Sequence, residues 1–157
     1  NVLIGNGSDM DGVLYYLNGT TGSIIWTYPD PPQSQTGSSV DSLVGPFYNA
    51  PAVSGNTIYL STMTYIYSID RLTGIENWRY YKAKCYYSSV IVDMNGNIFF
   101  TSIDARTSHG FLHSLSDQGT ENWIYDTGEV SRLAAPSLGA DGTIYVSSTA
   151  NKIYALR

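Results

Sequence analysis

The feature that most constrains the fold is an internal repeat built around a glycine turn and a tryptophan. Three times in the chain, tryptophan follows a turn glycine by four positions, in the pairs Gly22/Trp26, Gly74/Trp78 and Gly119/Trp123. Successive turn glycines are 52 and 45 residues apart. A period of this size is typical of four-stranded blades that stack on one another, because one such sheet cannot bury its faces alone.

Strand-like segments accompany each turn at constant offsets. Residues 58–62, 98–102 and 144–148 share a pattern of Ile, an aromatic residue and small hydroxyl residues, and residues 2–5 fit the same column. Residues 50–54, 88–93 and 134–138 precede three of these segments, with turns rich in Gly, Asn and Asp between them. The pattern predicts antiparallel meanders with fourteen strands, which amount to about three and a half blades.

The order of the segments predicts a single partial β-propeller over residues 1–157. We expect a partial blade at 1–28, complete blades at 47–82 and 86–127, a partial blade at 132–157 and an inserted loop at 29–46. The first blade begins without a first strand, and the last ends without a fourth strand and its tryptophan. We therefore expect either an excerpt of a longer propeller chain, which we favour, or copies that assemble through open edges.

Composition agrees with an all-β fold and narrows the classes of partner. Charged residues make up 13% of the chain, against 43% hydrophobic residues, and there are 14 tyrosines and 15 glycines. The net charge is −5 and the basic residues are scattered, so we expect no nucleic-acid partner. No apolar run reaches membrane-spanning length, so we expect no direct membrane insertion. The single Cys85 excludes an intrachain disulfide and a multi-cysteine zinc site.

The repeat residues have distinct expected roles. Asn18 and Asp70 begin their turns and can accept hydrogen bonds from the turn backbone. The turn glycine stands where a side chain would clash. The tryptophan supplies a large apolar surface for packing between blades, and its replacement by alanine should cost about 3–5 kcal/mol where it is buried.

Residues 68–78, Ser-Ile-Asp-Arg-Leu-Thr-Gly-Ile-Glu-Asn-Trp, resemble the pyrroloquinoline-quinone-like (PQQ-like) propeller repeat, and residues 17–26 are similar, with Asn18 replacing the usual Asp. The third copy departs further, because its turn lacks Thr. The resemblance implies one of two classes: quinone-dependent dehydrogenases that hold PQQ and calcium, or cofactor-free propellers that bind proteins. It also implies a location outside the cytoplasm, in the periplasm, on the cell surface or secreted.

The resemblance favours a non-catalytic scaffold that binds a protein partner or associates with itself and holds no cofactor. No segment matches the calcium ligands or catalytic Asp of the dehydrogenases, and the adjacent cysteines that most of them carry are missing. A fragment of a PQQ-dependent dehydrogenase, with the PQQ and calcium site in other blades, is the first alternative. The ligand-sensing ectodomain of a receptor is the second.

Several weaker patterns favour turns, loops or packing over chemistry. Asn6-Gly-Ser and Asn18-Gly-Thr fit the glycosylation acceptor pattern but are also ordinary turn residues. Residues 7–18 match a calcium loop poorly, so a hairpin turn is the better interpretation. His113 falls in a tyrosine column and is expected to pack as an aromatic rather than to bind metal with His109. Cys85 is interpreted as a buried or incidental thiol. The loop at 29–46 is the best candidate for a partner contact.

Overall fold

The computed structural model describes residues 1–7, 12–29, 47, 49–62, 64–81 and 85–157, and the side chains of residues 6, 7 and 85–87 are not described. This part of the chain contains fifteen strands and no helix. All strand pairings are antiparallel, and the strands form four successive sheets. The chain is therefore an all-β array of propeller blades, as the repeat predicts.

The first two sheets follow the chain in simple meander order. The first contains β1 (Val2–Gly7), β2 (Gly12–Leu17) and β3 (Ile24–Tyr28). The second contains β4 (Ala52–Ser54), β5 (Thr57–Ser61), β6 (Tyr65–Asp70) and β7 (Glu76–Tyr81). Neighbouring strands are consecutive in sequence, so each connection is a hairpin.

The last two sheets have the same plan with one irregularity. The third contains β8 (Cys85–Tyr87), β9 (Ile91–Val92), β10 (Ile98–Asp104), β11 (His109–Leu115) and β12 (Glu121–Val130). The fourth contains β13 (Ser137–Leu138), β14 (Ile144–Ser147) and β15 (Ile153–Leu156). Among the described residues, β15 pairs with β14 alone, so its other edge has no partner strand.

The first strand of the third sheet is split, where the sequence predicts one strand at 88–93. Both β8 and β9 pair with β10, at different ends of it. At the break, the hydroxyl of Ser88 accepts the hydrogen bond of the Thr101 amide at 2.9 Å, while the Ser88 amide donates to the Thr101 carbonyl at 2.8 Å. A side chain thus replaces one backbone acceptor and interrupts the ladder, which gives fifteen strands instead of fourteen.

Both faces of the second sheet are buried, because successive side chains of a strand point to opposite sides. Ile58 and Leu60 face the first sheet, in a cluster with Leu14 and Trp26. The intervening Tyr59 faces the third sheet, in a cluster with Phe100. A third cluster joins the third and fourth sheets. The core therefore consists of layers between successive blades, with no separate central core in the described part of the chain.

Candidate functional site: tryptophan–glycine contacts between blades

Trp26 on β3 of the first blade packs on Gly74 in the β6–β7 turn of the second. A methyl group at Gly74 would lie 2.8 Å from the indole Cδ2. The indole Nε1 donates a hydrogen bond to the Arg71 carbonyl of the same turn at 3.0 Å. Gly74 has φ +75°, a conformation that side chains disfavour. The position thus requires glycine twice, for the backbone angle and for the approach of the ring.

The second and third blades repeat this contact. A methyl group at Gly119 would lie 2.8 Å from Cδ2 of Trp78, and Gly119 has φ +78°. The Trp78 Nε1 donates to the Asp117 carbonyl at 2.9 Å. Two copies of one geometry therefore join three successive blades. Each tryptophan fixes the turn of the next blade by stacking and by one directed hydrogen bond.

The turns are held in shape by their first residues. The Asn18 side-chain oxygen accepts from the amides of Thr20 and Thr21, at 2.9 and 3.0 Å. One Asp70 carboxylate oxygen likewise accepts from the Leu72 and Thr73 amides, at 3.0 and 2.9 Å. Because the Thr73 amide, the Thr73 hydroxyl and the Leu72 amide donate to it, the pKa of Asp70 lies below its usual value.

The third turn is shorter and uses a serine in place of the carboxylate. The Gly119 amide donates to the Ser116 carbonyl three residues back, whereas the Gly74 amide donates to the Asp70 carbonyl four residues back. The Ser116 hydroxyl accepts from the amides of Gln118 and Thr120, at 3.3 and 3.2 Å. The glycine nevertheless reaches the same position under the tryptophan of the preceding blade.

A bulge precedes each tryptophan, and the sequence reasoning missed it. The register between third and fourth strands shifts between Tyr16 and Leu17, between Ser68 and Ile69, and between Ser114 and Leu115. In two of these bulges an asparagine bonds across the strands: Asn77 Nδ2 donates to Ser68 Oγ and Asn122 Nδ2 to Ser114 Oγ, both at 3.2 Å. The shared Glu-Asn-Trp of both copies was the available signal. A bulge re-aims the residue after it, here the tryptophan.

Gly22 of the first blade and Trp123 of the third blade each lack the partner that completes this contact elsewhere among the described residues. No described atom lies within 4 Å of a methyl group placed at Gly22, although its φ of +71° matches the other two glycines. Trp123 is 37% exposed, whereas Trp26 and Trp78 are half-buried. Trp123 lines a cavity of about 340 Å³ whose other lining residues are Ile124, Tyr125, Ile144, Leu156 and Arg157. The cost of about 3–5 kcal/mol expected on burial therefore does not apply in full to Trp123.

A polar and aromatic cluster joins the first two blades elsewhere in their interface. The buried Tyr28 hydroxyl donates to the Glu76 carboxylate, which also accepts two hydrogen bonds from Arg79, both at 2.8 Å. The Arg79 guanidinium lies 5.6 Å from the ring centre of the buried Tyr67. Burial, and for Tyr28 the bond to Glu76, raises the pKa of both phenols far above the usual value. Every charge here has a partner, which is the arrangement of a structural cluster.

The other predicted site residues do not converge. His113 is buried, stacks on Phe100 with ring centres 4.7 Å apart and has Nε2 2.7 Å from Ser102 Oγ. His109 instead lies beside Asp126, with Nδ1 3.3 Å from a carboxylate oxygen. The described residues include no group of three or more His, Cys, Asp or Glu placed to hold a metal ion.

Some predictions fall outside the described residues. They are the side chains of Asn6 and Cys85, residues 8–11 of the weak calcium-loop match and residues 30–46 of the inserted loop. Asn18 lies in a turn in which its side-chain oxygen is engaged, and its glycosylation stays a prediction. No helix in the part of the chain that the structure describes is long and apolar enough to cross a membrane.

Comparison with known proteins shows the fold and no more. No family model matches the chain, and no curated protein matches it. Among solved structures, a protein of unknown function from Bacteroides caccae is similar with a TM-score of 0.60 and 17% identity, over 92% of this chain and 48% of that one. A quinohemoprotein alcohol dehydrogenase from Pseudomonas putida HK5, a β-propeller protein, is similar with a TM-score of 0.57 and 21% identity, over 80% of this chain and 19% of its own. The chain thus has a β-propeller fold and spans less than half the length of either neighbour.

Proposed function

We propose that this chain is a non-catalytic segment of a PQQ-like β-propeller that acts as a structural or protein-interaction scaffold outside the cytoplasm. The observation that carries the proposal is that the tryptophans and the polar cluster of this chain make contacts between its own blades. Trp26 and Trp78 each pack on the glycine turn of the next blade and donate a hydrogen bond to it. Between the first and second blades, the Glu76 carboxylate accepts hydrogen bonds from Tyr28 and Arg79. These groups hold polypeptide against polypeptide.

The two outer faces of the array support an interaction role. On the first sheet, Val2, Ile4 and Ile24 share the face turned away from the second sheet and are 47%, 48% and 59% exposed. On the fourth sheet, Tyr145 and Ile153 share the face turned away from the third, and Ile153 is 77% exposed. Contiguous exposed apolar residues of this kind mark surfaces that other protein material covers.

Sedimentation of the purified chain over a wide concentration range tests the proposal. We expect concentration-dependent association, and Ile4→Lys should weaken it by placing a charge on the outer face of the first sheet. Leu72→Lys is the matched control, since Leu72 is exposed on a turn away from both outer faces. A chain that stays monomeric throughout would contradict the proposal.

The likeness to a quinohemoprotein dehydrogenase motivates the second candidate, a fragment of a PQQ-dependent enzyme. Calorimetric titration with PQQ in the presence of calcium separates the two. The scaffold proposal expects no heat of binding. Saturable binding of PQQ that depends on calcium would favour the dehydrogenase.

A further inference from the structure

A polar cavity of about 320 Å³ lies between the second and third blades, in the middle of the sequence. Its lining includes the buried Tyr59 and Ser68 of the second blade and the exposed Asp117 and Gln118 in the turn of the third. The cavity therefore extends from the interior of the interface to solvent. Cavities that bind small molecules in proteins begin at about 300 Å³.

At the corresponding place between the first and second blades, a ring and a guanidinium occupy the space. The Tyr16 ring stacks on Trp26, with ring centres 5.1 Å apart and 29° between the planes. The Tyr16 hydroxyl accepts a hydrogen bond from Arg71 Nη1 at 3.2 Å. The Arg71 carbonyl in turn accepts from the indole of Trp26, so these three side chains form one closed group.

Two differences in sequence open this space in the next interface. Ser68 takes the place of Tyr16, because each lies directly opposite the tryptophan of its own sheet. Asp117 takes the place of Arg71, because its carbonyl accepts the hydrogen bond of Trp78 Nε1. A small hydroxyl side chain thus replaces the phenol, and a carboxylate replaces the guanidinium.

The aromatic ring of the second blade stands one strand further from the tryptophan. Tyr59 lies opposite Ser68 on β5, with its ring centre 5.9 Å from that of Trp78 and 39° between the planes. Burial raises the pKa of the Tyr59 phenol, a hydrogen bond with Thr57 lowers it, and the charge of Asp117 raises it. The phenol and the carboxylate therefore lie near each other along the cavity wall.

We propose that this cavity binds a single pyranose sugar, either free or at the end of a glycan. The site goes beyond the scaffold function and does not depend on it, since both blades that form it belong to this chain.

The lining favours a neutral polyol over a charged ligand. Among the described residues that line the cavity, Asp117 carries the only formal charge. The amides of Asn77 and Gln118 and the hydroxyl of Ser68 add both donors and acceptors. Each sugar hydroxyl both donates and accepts, so a ring of hydroxyls uses both kinds of group, whereas an ammonium ion uses acceptors alone.

Trp78 supplies the apolar side of the site. Its one N–H donates to the Asp117 carbonyl at 2.9 Å, so the indole offers carbon surface to the cavity. One face of a pyranose ring carries mainly C–H groups, which pack against a flat aromatic surface. With that face on the indole, the hydroxyls at the edge of the sugar point toward the carboxylate and amides around it.

Saturation-transfer NMR on the full chain tests the inference with the methyl pyranosides of glucose, galactose, mannose, xylose, fucose and N-acetylglucosamine. At least one of them should receive saturation at its ring protons and bind saturably on titration. Absence of transfer to all six would overturn the inference, as would binding of methylammonium without binding of any sugar. Disaccharides that end in the bound sugar distinguish the two sources, because tighter binding of the disaccharide indicates a glycan and equal binding a free sugar.

Asp117→Asn tests the carboxylate and keeps the backbone carbonyl that Trp78 bonds. It should weaken sugar binding by about tenfold or more, the loss of one hydrogen bond to a charged group. Gln118→Ala should also weaken it. Leu72→Ala is the matched control for Gln118→Ala, because Leu72 holds the same turn position at the first interface and is 65% exposed, and it should leave the affinity unchanged. An affinity that Asp117→Asn does not alter would overturn the inference.

The variant Tyr59→Leu/Ser68→Tyr/Asp117→Arg fills the cavity with the side chains that the first interface has at the same three positions. It should unfold cooperatively, as the unsubstituted chain does, and should lose sugar binding, because its own phenol occupies the space. Sugar binding that persists in this folded variant would place the sugar elsewhere and overturn the inference. The single variant Asp117→Asn decides the question if the triple variant does not fold.

Discussion

Replacing Gly74 with alanine tests whether the tryptophan contact, and not the turn conformation alone, demands glycine. An L-residue at φ +75° costs about 1–2 kcal/mol. The added methyl group would also meet Cδ2, Cε3 and Cγ of Trp26 at 2.8, 3.0 and 3.1 Å, well inside the 3.5–4.0 Å at which carbon atoms pack best. The ring cannot move aside freely, because its Nε1 bonds the Arg71 carbonyl. Overpacking of this kind costs about a further 1–3 kcal/mol, which gives about 2–5 kcal/mol in all.

Gly22→Ala is the matched control for this measurement. Gly22 has nearly the same backbone angle, φ +71°, and no described atom within 4 Å of the added methyl group. Gly22→Ala should therefore reduce the free energy of unfolding only by the cost of the backbone conformation, about 1–2 kcal/mol. Free energies of unfolding from urea titration compare the two, and Gly119→Ala should behave like Gly74→Ala. Equal destabilisation by Gly22→Ala and Gly74→Ala would refute the reasoning.

The remaining predictions concern the same interfaces. Trp78→Ala should destabilise the chain by about 3 kcal/mol, because it removes an indole that packs on Gly119 and donates to the Asp117 carbonyl. Trp123→Ala should cost less, because no described turn glycine packs on that ring. Thermal unfolding followed by circular dichroism compares the two variants, and equal losses would contradict this. The pKa values of Tyr28 and Tyr67 are raised in the folded state, so these phenols ionise first in the unfolded state. The free energy of unfolding should therefore fall as pH rises above about 10. Tyr28→Phe should reduce the slope of this fall by about 1.4 kcal/mol per pH unit, and an unchanged slope would contradict the assignment. The pKa of Asp70 is lowered in the folded state, so its contribution to stability is present above the unfolded pKa near 3.8 and is lost as pH falls below it. Asp70→Asn should preserve the turn, because Asn18 holds the equivalent turn in the first blade, and should remove this pH dependence. Asp70→Ala should also destabilise the chain at neutral pH. Urea titrations from neutral to acid pH would contradict it if Asp70→Asn were as unstable at neutral pH as Asp70→Ala, or kept the pH dependence of the unsubstituted chain.

What the sequence predicts well is what repeats with the period of the blades. The turn glycines, the tryptophans, the strand segments around them and the turn role of Asn18 and Asp70 recur at fixed offsets, so each copy supports the others. The all-β blade array follows from that repetition, because each sheet needs a neighbour to bury its faces. The third turn begins with Ser116 and is one residue shorter, as its sequence indicates.

What escapes prediction depends on single side chains or on contacts without a period. The first strand of the third sheet is split because the hydroxyl of Ser88 accepts the hydrogen bond of the Thr101 amide. The bulge that aims Trp78 involves Asn77 and Ser68, which no rule of alternation singles out. Tyr28 and Glu76 lie 48 residues apart and belong to different blades, so their bond becomes visible only when the blades are packed.

Proton NMR of the turn glycines tests the central claim most directly, since the claim is that each tryptophan covers the turn glycine of the next blade. A proton over the face of an indole is shifted upfield by the ring current. We predict upfield-shifted α-protons for Gly74 and Gly119 that return to ordinary positions in Trp26→Ala and Trp78→Ala respectively, with an ordinary shift for Gly22. Ordinary shifts for all three glycines would contradict the account.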